Sequence, residues 1–126
     1  MEKTSSVNFS DLPDNERLGL LIQSVSEHKE IWLLQTSEGF FAMFEDGEGK
    51  SYIPVWPEKE IAQQFASDDW EGYMAGRMGL GEFLDWMQEL KDDQILIGAF
   101  PLLNKKALAI DPIDFKNRLI QETRQS

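Results

Sequence analysis

Hydrophobic and polar positions along this chain switch between two periods, and each switch marks an element. Leu18, Leu21, Ile22 and Val25 recur at i, i+3, i+4 and i+7, the stripe of a helix that buries one face. Asp11 stands where it can cap that helix and Pro13 lies in its first turn, where a missing N–H costs little. The helix is predicted to run to about His28. Residues 1–9 show no periodicity and read as a flexible tail, which leaves residues 10–126 as a single domain.

Short apolar runs at residues 31–34 and 40–44, separated by Ser37, Glu38 and Gly39, predict a β-hairpin. A second turn, Asp46-Gly47-Glu48-Gly49, leads into residues 52–56 and completes a three-stranded antiparallel meander. Pro54 has no N–H to give a ladder, so this third strand should lie at an edge or turn its donor side outward there. Pro57 then presets the first turn of a second helix, with Glu58 and Glu60 at its positive end and Ile61, Ala62, Phe65 and Ala66 on one face.

Residues 68–79, with Trp70, Tyr73, Met74 and several glycines, read as a loop holding at most a short irregular strand. Leu80, Phe83, Leu84, Met87 and Leu90 form a third helical stripe, and Gly79 and Gly81 supply backbone freedom at its start. Residues 94–100 are apolar without alternation, the pattern of a strand covered on both faces near a sheet centre. A last strand at residues 107–110 precedes Asp111 and Pro112, which cap a final helix carrying Phe115, Leu119 and Ile120. The expected fold is α+β: a mainly antiparallel sheet of about five strands with about four packed helices.

Composition narrows the chemistry. With no cysteine among 126 residues, disulfides, thiolate metal sites and thiol nucleophiles are excluded, and a reducing cytoplasm is the expected compartment. No window approaches the ~20 apolar residues needed to cross a bilayer, and the N-terminus lacks a signal-peptide pattern. The net charge of -11 repels phosphate backbones and anionic headgroups, so neither nucleic acid nor a membrane surface is expected as a partner. Residues 1–104 hold 20 acids and 7 bases, whereas residues 105–126 hold 3 acids and 5 bases, so an acidic body carries a mildly basic end.

Catalytic machinery is sparse. The single histidine, His28, falls near a helix end, and no Ser-His-Asp or Cys-His arrangement can be assembled. Gly72, Gly76, Gly79 and Gly81 are not followed by the Lys-Ser/Thr of a phosphate loop. Glu45-Asp46-Glu48 and Asp68-Asp69-Glu71 are acid clusters without the spacing of a calcium loop. No metal, cofactor or catalytic residue is expected, and the chain reads as a non-enzyme. The candidate binding residues are Trp56, Pro57, Trp70, Tyr73 and Arg77. The tryptophans bracket the second helix, and Arg77 is the sole base between Lys59 and Lys91 in a span, residues 58–93, with 10 acids and 3 bases. Two readings stay open for them: buried rings with an intramolecular ion pair, or an exposed groove that recognises a partner or an anionic ligand.

The ordered series Tyr52-Ile53-Pro54-Val55-Trp56-Pro57, Ala62, Phe65, Trp70-Glu71-Gly72-Tyr73, Leu80, Glu82-Phe83-Leu84 and residues 97–101 resembles a bacterial family known as domain of unknown function 2750. The resemblance covers about residues 15–120. It implies a small bacterial single-domain protein and brings no assigned activity, cofactor or catalytic residue. The strand that ends on a proline and an aromatic and runs into a helix also resembles, over that segment alone, a family of type III secretion regulators. The function expected is a noncatalytic, acidic interaction or regulatory module acting on a protein partner with a basic surface, a toxin-neutralising immunity protein being one version. The alternative is a small-ligand domain or undetected enzyme with a pocket near Trp56, Trp70, Tyr73 and Arg77.

Overall fold

The computed structural model describes residues 13–45, 49–66, 72–101 and 108–125. Four helices and six strands follow one another along them: α1 (Asp14–His28), β1 (Glu30–Gln35), β2 (Phe44–Glu45), β3 (Ser51–Val55), α2 (Lys59–Ala66), β4 (Met74–Gly79), α3 (Leu80–Asp92), β5 (Ile95–Ala99), β6 (Leu108–Ile110) and α4 (Pro112–Gln125). The α+β class and the four helices match expectation. The sheet does not: the strands form two sheets, a two-stranded β1-β4 ribbon and a four-stranded sheet in the order β2-β3-β5-β6.

Partner choice explains the difference. β1 pairs along its whole length with β4, Glu30 opposite Gly79 through Gln35 opposite Met74, and on its other edge Trp32 pairs with Trp56, so the expected β1-β2 hairpin is reduced to a bridge between Gln35 and Phe41 and the bond from the Ala42 N–H to the Leu34 carbonyl. Its turn is nevertheless the expected one: Thr36 and Phe40 are joined by a backbone bond, and Gly39 takes φ +93°, which favours glycine. A strand, β4, stands where a loop was expected: Gly76 and Met78 are buried and Arg77 between them is exposed, an alternation the run of glycines obscured.

β3 is interior rather than an edge strand. It pairs in parallel with β5, Pro54 opposite Gly98, and the Phe100 N–H donates to the Val55 carbonyl at 2.9 Å. Trp56, one residue on, pairs with Trp32 of β1 in the opposite direction. Alternation therefore points the Pro54 nitrogen away from β5, into the interval between Tyr52, where β2 ends its pairing, and Trp56. The missing donor faces outward from the ladder, which is how proline is tolerated in an interior strand.

β5 lies between β3 and β6, the central place its unbroken apolar run predicts. α2 begins two residues after Pro57, later than expected. Gly79 sits at φ -67°, an ordinary extended conformation, so the start of α3 makes no demand for glycine there. α4 starts as the sequence predicts, with Asp111 Oδ2 accepting from the Ile113 and Asp114 N–H groups at 3.0 and 3.2 Å. The core joins Leu21 and Val25 of α1, Ile31 and Leu33 of β1, Trp56, Phe83 and Met87 of α3, Ile97 and Phe100, and Phe115 and Leu119 of α4. Arg17 is buried with them on α1, one of two buried polar or charged residues among the described ones.

Candidate functional site

The residues singled out from sequence are distributed over several environments. Trp56 is fully buried, with its ring against Phe65 at a centroid distance of 5.2 Å and its Nε1–H donating to the Pro101 carbonyl at 2.8 Å. Pro57 is buried beside it and Tyr73 is half-buried. Trp70, with the cluster Asp68-Asp69-Glu71, lies outside the described residues, as do Asp46 and Glu48.

Arg77 stands on the outer face of the β1-β4 ribbon, because antiparallel register sets it opposite Trp32. Its Nε–H donates to Glu30 Oε1 at 2.5 Å, and Trp32 Nε1–H donates to Glu30 Oε2 at 3.2 Å. Glu30 and Trp32 are two residues apart on one strand, so one carboxylate meets both donors on the same face. The Arg77 hydrogen bond, first among the causes, holds the Glu30 carboxyl below its ordinary value, and the Trp32 hydrogen bond adds to this. With 56% of its side chain exposed, Arg77 forms a surface ion pair. His28 closes α1 in an exposed position, its Nδ1 3.1 Å from the Ser24 carbonyl oxygen, which can only accept.

Other residues line several surface clefts among the described residues, and two of these carry rows or pairs of charges beside α3. One, about 480 Å³, lies where β3 and β5 begin and is bounded by Lys50, Gln94, Ile95, Lys91 and Asp111. Lys91 Nζ donates to Asp111 Oδ1 at 2.5 Å. That ammonium, together with the Asp114 and Ile113 N–H groups, pulls the Asp111 carboxyl below its ordinary value, while Asp111 raises Lys91. The ion pair joins the end of α3 to the start of α4, so it serves as a clasp between helices.

The other is an open groove of about 340 Å³ along α3, lined by Phe41, Met78, Glu82, Asp85, Trp86 and Glu89. Glu82, Asp85 and Glu89 fall at i, i+3 and i+7 and form one exposed carboxylate row. Phe41 and Trp86 touch at 5.1 Å, Trp86 meets Phe83 at 6.4 Å, and Phe83 meets the buried Phe115 at 5.9 Å. The groove floor is thus the outer end of an aromatic row anchored in the core. Sequence reading missed it because Phe41 and Met78 come from elements whose pairing no local pattern reveals. The i, i+3, i+7 acid spacing on the third predicted helix was the signal that could have suggested it.

Among the described residues, no helix is long and apolar enough to cross a membrane, and no group of three or more His, Cys, Asp or Glu is placed to hold a metal ion. A family model described as "Protein of unknown function (DUF2750)" matches residues 18–119. Comparison with curated proteins gives no match. Among solved structures, the chain is similar to the protein-transport protein Tic22 of Anabaena, at 15% identity and a TM-score of 0.46. That likeness covers 73% of this chain and 49% of the Tic22 chain, so the protein spans about half the length of that structure.

Proposed function

The chain belongs to the DUF2750 family of proteins of unknown function, and we propose that it acts as a noncatalytic protein-interaction or regulatory module, in the cytoplasm, engaging a partner with a basic surface. A toxin-neutralising immunity protein is one concrete form of such a module. The observation that carries this reading is the place of Arg77. The cation best situated by sequence to grip an anionic ligand is instead bound to Glu30 on an exposed ribbon, and Trp56, the ring meant to line a pocket with it, is sealed in the core. What the molecule offers outward is negative charge, -11 overall, which favours and steers a cationic partner.

The test is capture from source-cell lysate on immobilised protein at low and at raised ionic strength. A specific partner of basic character, released as the Debye length shrinks from about 30 to about 8 Å, is the expected result. Absence of any such partner at low salt, together with a rise in melting temperature with an anionic metabolite, would transfer the assignment to the small-ligand reading. A ligand at ~100 times its dissociation constant adds ~2.7 kcal/mol and would be plain in such a screen.

A further inference from the structure

We infer that the groove along α3 is the docking site for a Lys/Arg-bearing amphipathic helix of a partner protein; this inference rests on the interaction reading and names the surface. Its charge is one-signed. Of the six lining residues three are carboxylates and none is a base, so Glu82 to Asp85 and Asp85 to Glu89 set like charges at i, i+3 and i, i+4. Like charges at these spacings oppose the helix. A row of cations from outside converts that repulsion into attraction.

The floor is apolar where the rim is acidic. Met78, only 6% exposed, closes the floor with a soft, adaptable side chain, and the half-buried pair Phe41 and Trp86 is tied through Phe83 to the core residue Phe115. On either side of Phe41, Phe40 is 70% exposed and Met43 is 45% exposed, large apolar groups left in water within a few residues of the groove. An apolar floor inside a charged rim is the composition of a protein-docking surface with a stated sign, since the acids repel nucleic acid and anionic lipid.

Spacing selects a helix over an extended peptide. At 1.5 Å per residue the carboxylates climb α3 in steps of about 4.5 and 6 Å, a repeat that cations at i, i+3 and i+7 of a second helix alongside match step for step. An extended strand presents side chains on one face every ~6.7 Å and slips out of register along the row. Apolar anchors at i, i+3, i+4 and i+7 of the same helix then face the Phe41-Met78-Trp86 floor.

The probe is a synthetic amphipathic peptide of about fourteen residues, some four turns, with leucines at helical spacing between flanking lysines. It is titrated into the ¹⁵N-labelled protein while the tryptophan indole N–H signals are followed. The expected result is a saturable shift of the Trp86 signal with the buried Trp56 signal unmoved. Affinity should fall at least about tenfold in the Glu82→Gln/Asp85→Asn/Glu89→Gln variant, which relieves like-charge repulsion and so should fold at least as stably. Phe41→Ser should weaken binding independently. An unmoved Trp86 signal, undiminished affinity in the triple variant, or equal affinity for a scrambled peptide of the same composition would each overturn the assignment. So would salt-dependent self-association that the triple variant abolishes, because the occupant would then be a second copy. If the triple variant retains a basic partner captured from lysate, the groove assignment fails and the module reading stands. If the peptide shifts Trp86 but lysate yields no partner, the module reading fails and the groove chemistry stands.

Discussion

The indole N–H of Trp56 donates to the carbonyl oxygen of Pro101 at 2.8 Å across 45 residues of sequence, wholly within the core. Directly beside it the Phe100 N–H closes on the Val55 carbonyl at 2.9 Å. The Pro-Val-Trp-Pro and Ala-Phe-Pro segments are therefore two halves of one joint at the end of the parallel β3-β5 pair. Phe100 turns the corner at φ +48°, in the left-handed region an aromatic residue seldom enters, and its side chain is fully buried. Burial of the ring and the two hydrogen bonds hold that conformation in place.

Removing the donor alone measures the joint. Trp56→Phe keeps an aromatic ring but leaves the Pro101 carbonyl unsatisfied in the core, and the expected loss is roughly 1–3 kcal/mol. Trp56→Ala adds a cavity and should lose about 3–5 kcal/mol. Denaturant unfolding with unchanged m-values checks both; a neutral Trp56→Phe would show that the bond contributes nothing net.

Much of the fold was legible because its helices carry clean stripes and the cap of α4 is local, whereas Asp11, the expected cap of α1, lies outside the described residues and Pro13 stands at that helix's N-cap without a side-chain bond. Asp111 caps α4 from a place two residues before the first freed N–H, a relation visible in the sequence. The sheet was less legible because strand pairing is non-local: nothing near residues 30–35 says that their ladder partner begins at Met74. Pro54 left two arrangements open, an edge strand or an outward donor side, and the second is found; the sequence could not choose between them because where β2 ends is set by the tertiary structure. At the candidate site, the aromatic residues near prolines drew attention by composition, and burial then assigned Trp56 to the core. The groove that remained is built by Phe41, Met78 and α3 together, and the fold alone makes them neighbours.

Asp111 combines a cap with an ion pair, and two substitutions separate them. Asp111→Asn retains an oxygen for the Ile113 and Asp114 N–H groups but loses the attraction to Lys91; Asp111→Ala loses both. Loss of the cap should account for about 0.5–2 kcal/mol in the alanine variant, with the asparagine variant much milder. The folded carboxyl titrates below its ordinary 3.8, so it contributes stability above that pH, and this is lost as pH falls through the lowered folded value. Glu30, lowered from 4.5, acts with the same sign. Both pairs are partly exposed, so the acid limb should be shallow, and Asp111→Asn should flatten it further below about pH 4. Unfolding measured from pH 3 to pH 7 tests the direction.

Gly76 on β4 lies against the Gln35 side chain of β1, where an added Cβ would stand 2.6 Å from Cδ and 2.9 Å from Cγ. The obstacle is a flexible side chain rather than backbone, and Gly76 does not adopt a positive φ. Gly76→Ala should therefore destabilise only modestly, by about 1 kcal/mol or less, as Gln35 swings aside. In a Gln35→Ala background the same change should become neutral or stabilising, because alanine restricts the unfolded chain. Such non-additivity in a double-mutant cycle is the measurement; equal penalties in both backgrounds would place the steric conflict elsewhere.

Arg77 offers the sharpest separation of structural from recognition roles. Its pair with Glu30 is exposed, so Arg77→Gln should lower stability by no more than about 1 kcal/mol and less at high salt. The Glu30 carboxyl, released from its principal hydrogen bond, should rise toward its ordinary 4.5 while the Trp32 donor still restrains it, a change that NMR titration resolves. Partner capture should persist undiminished, since removing this cation leaves every carboxylate of the α3 groove in place. A collapse of binding in Arg77→Gln with stability intact would return Arg77 to the recognition surface and contradict the assignment of its guanidinium to Glu30.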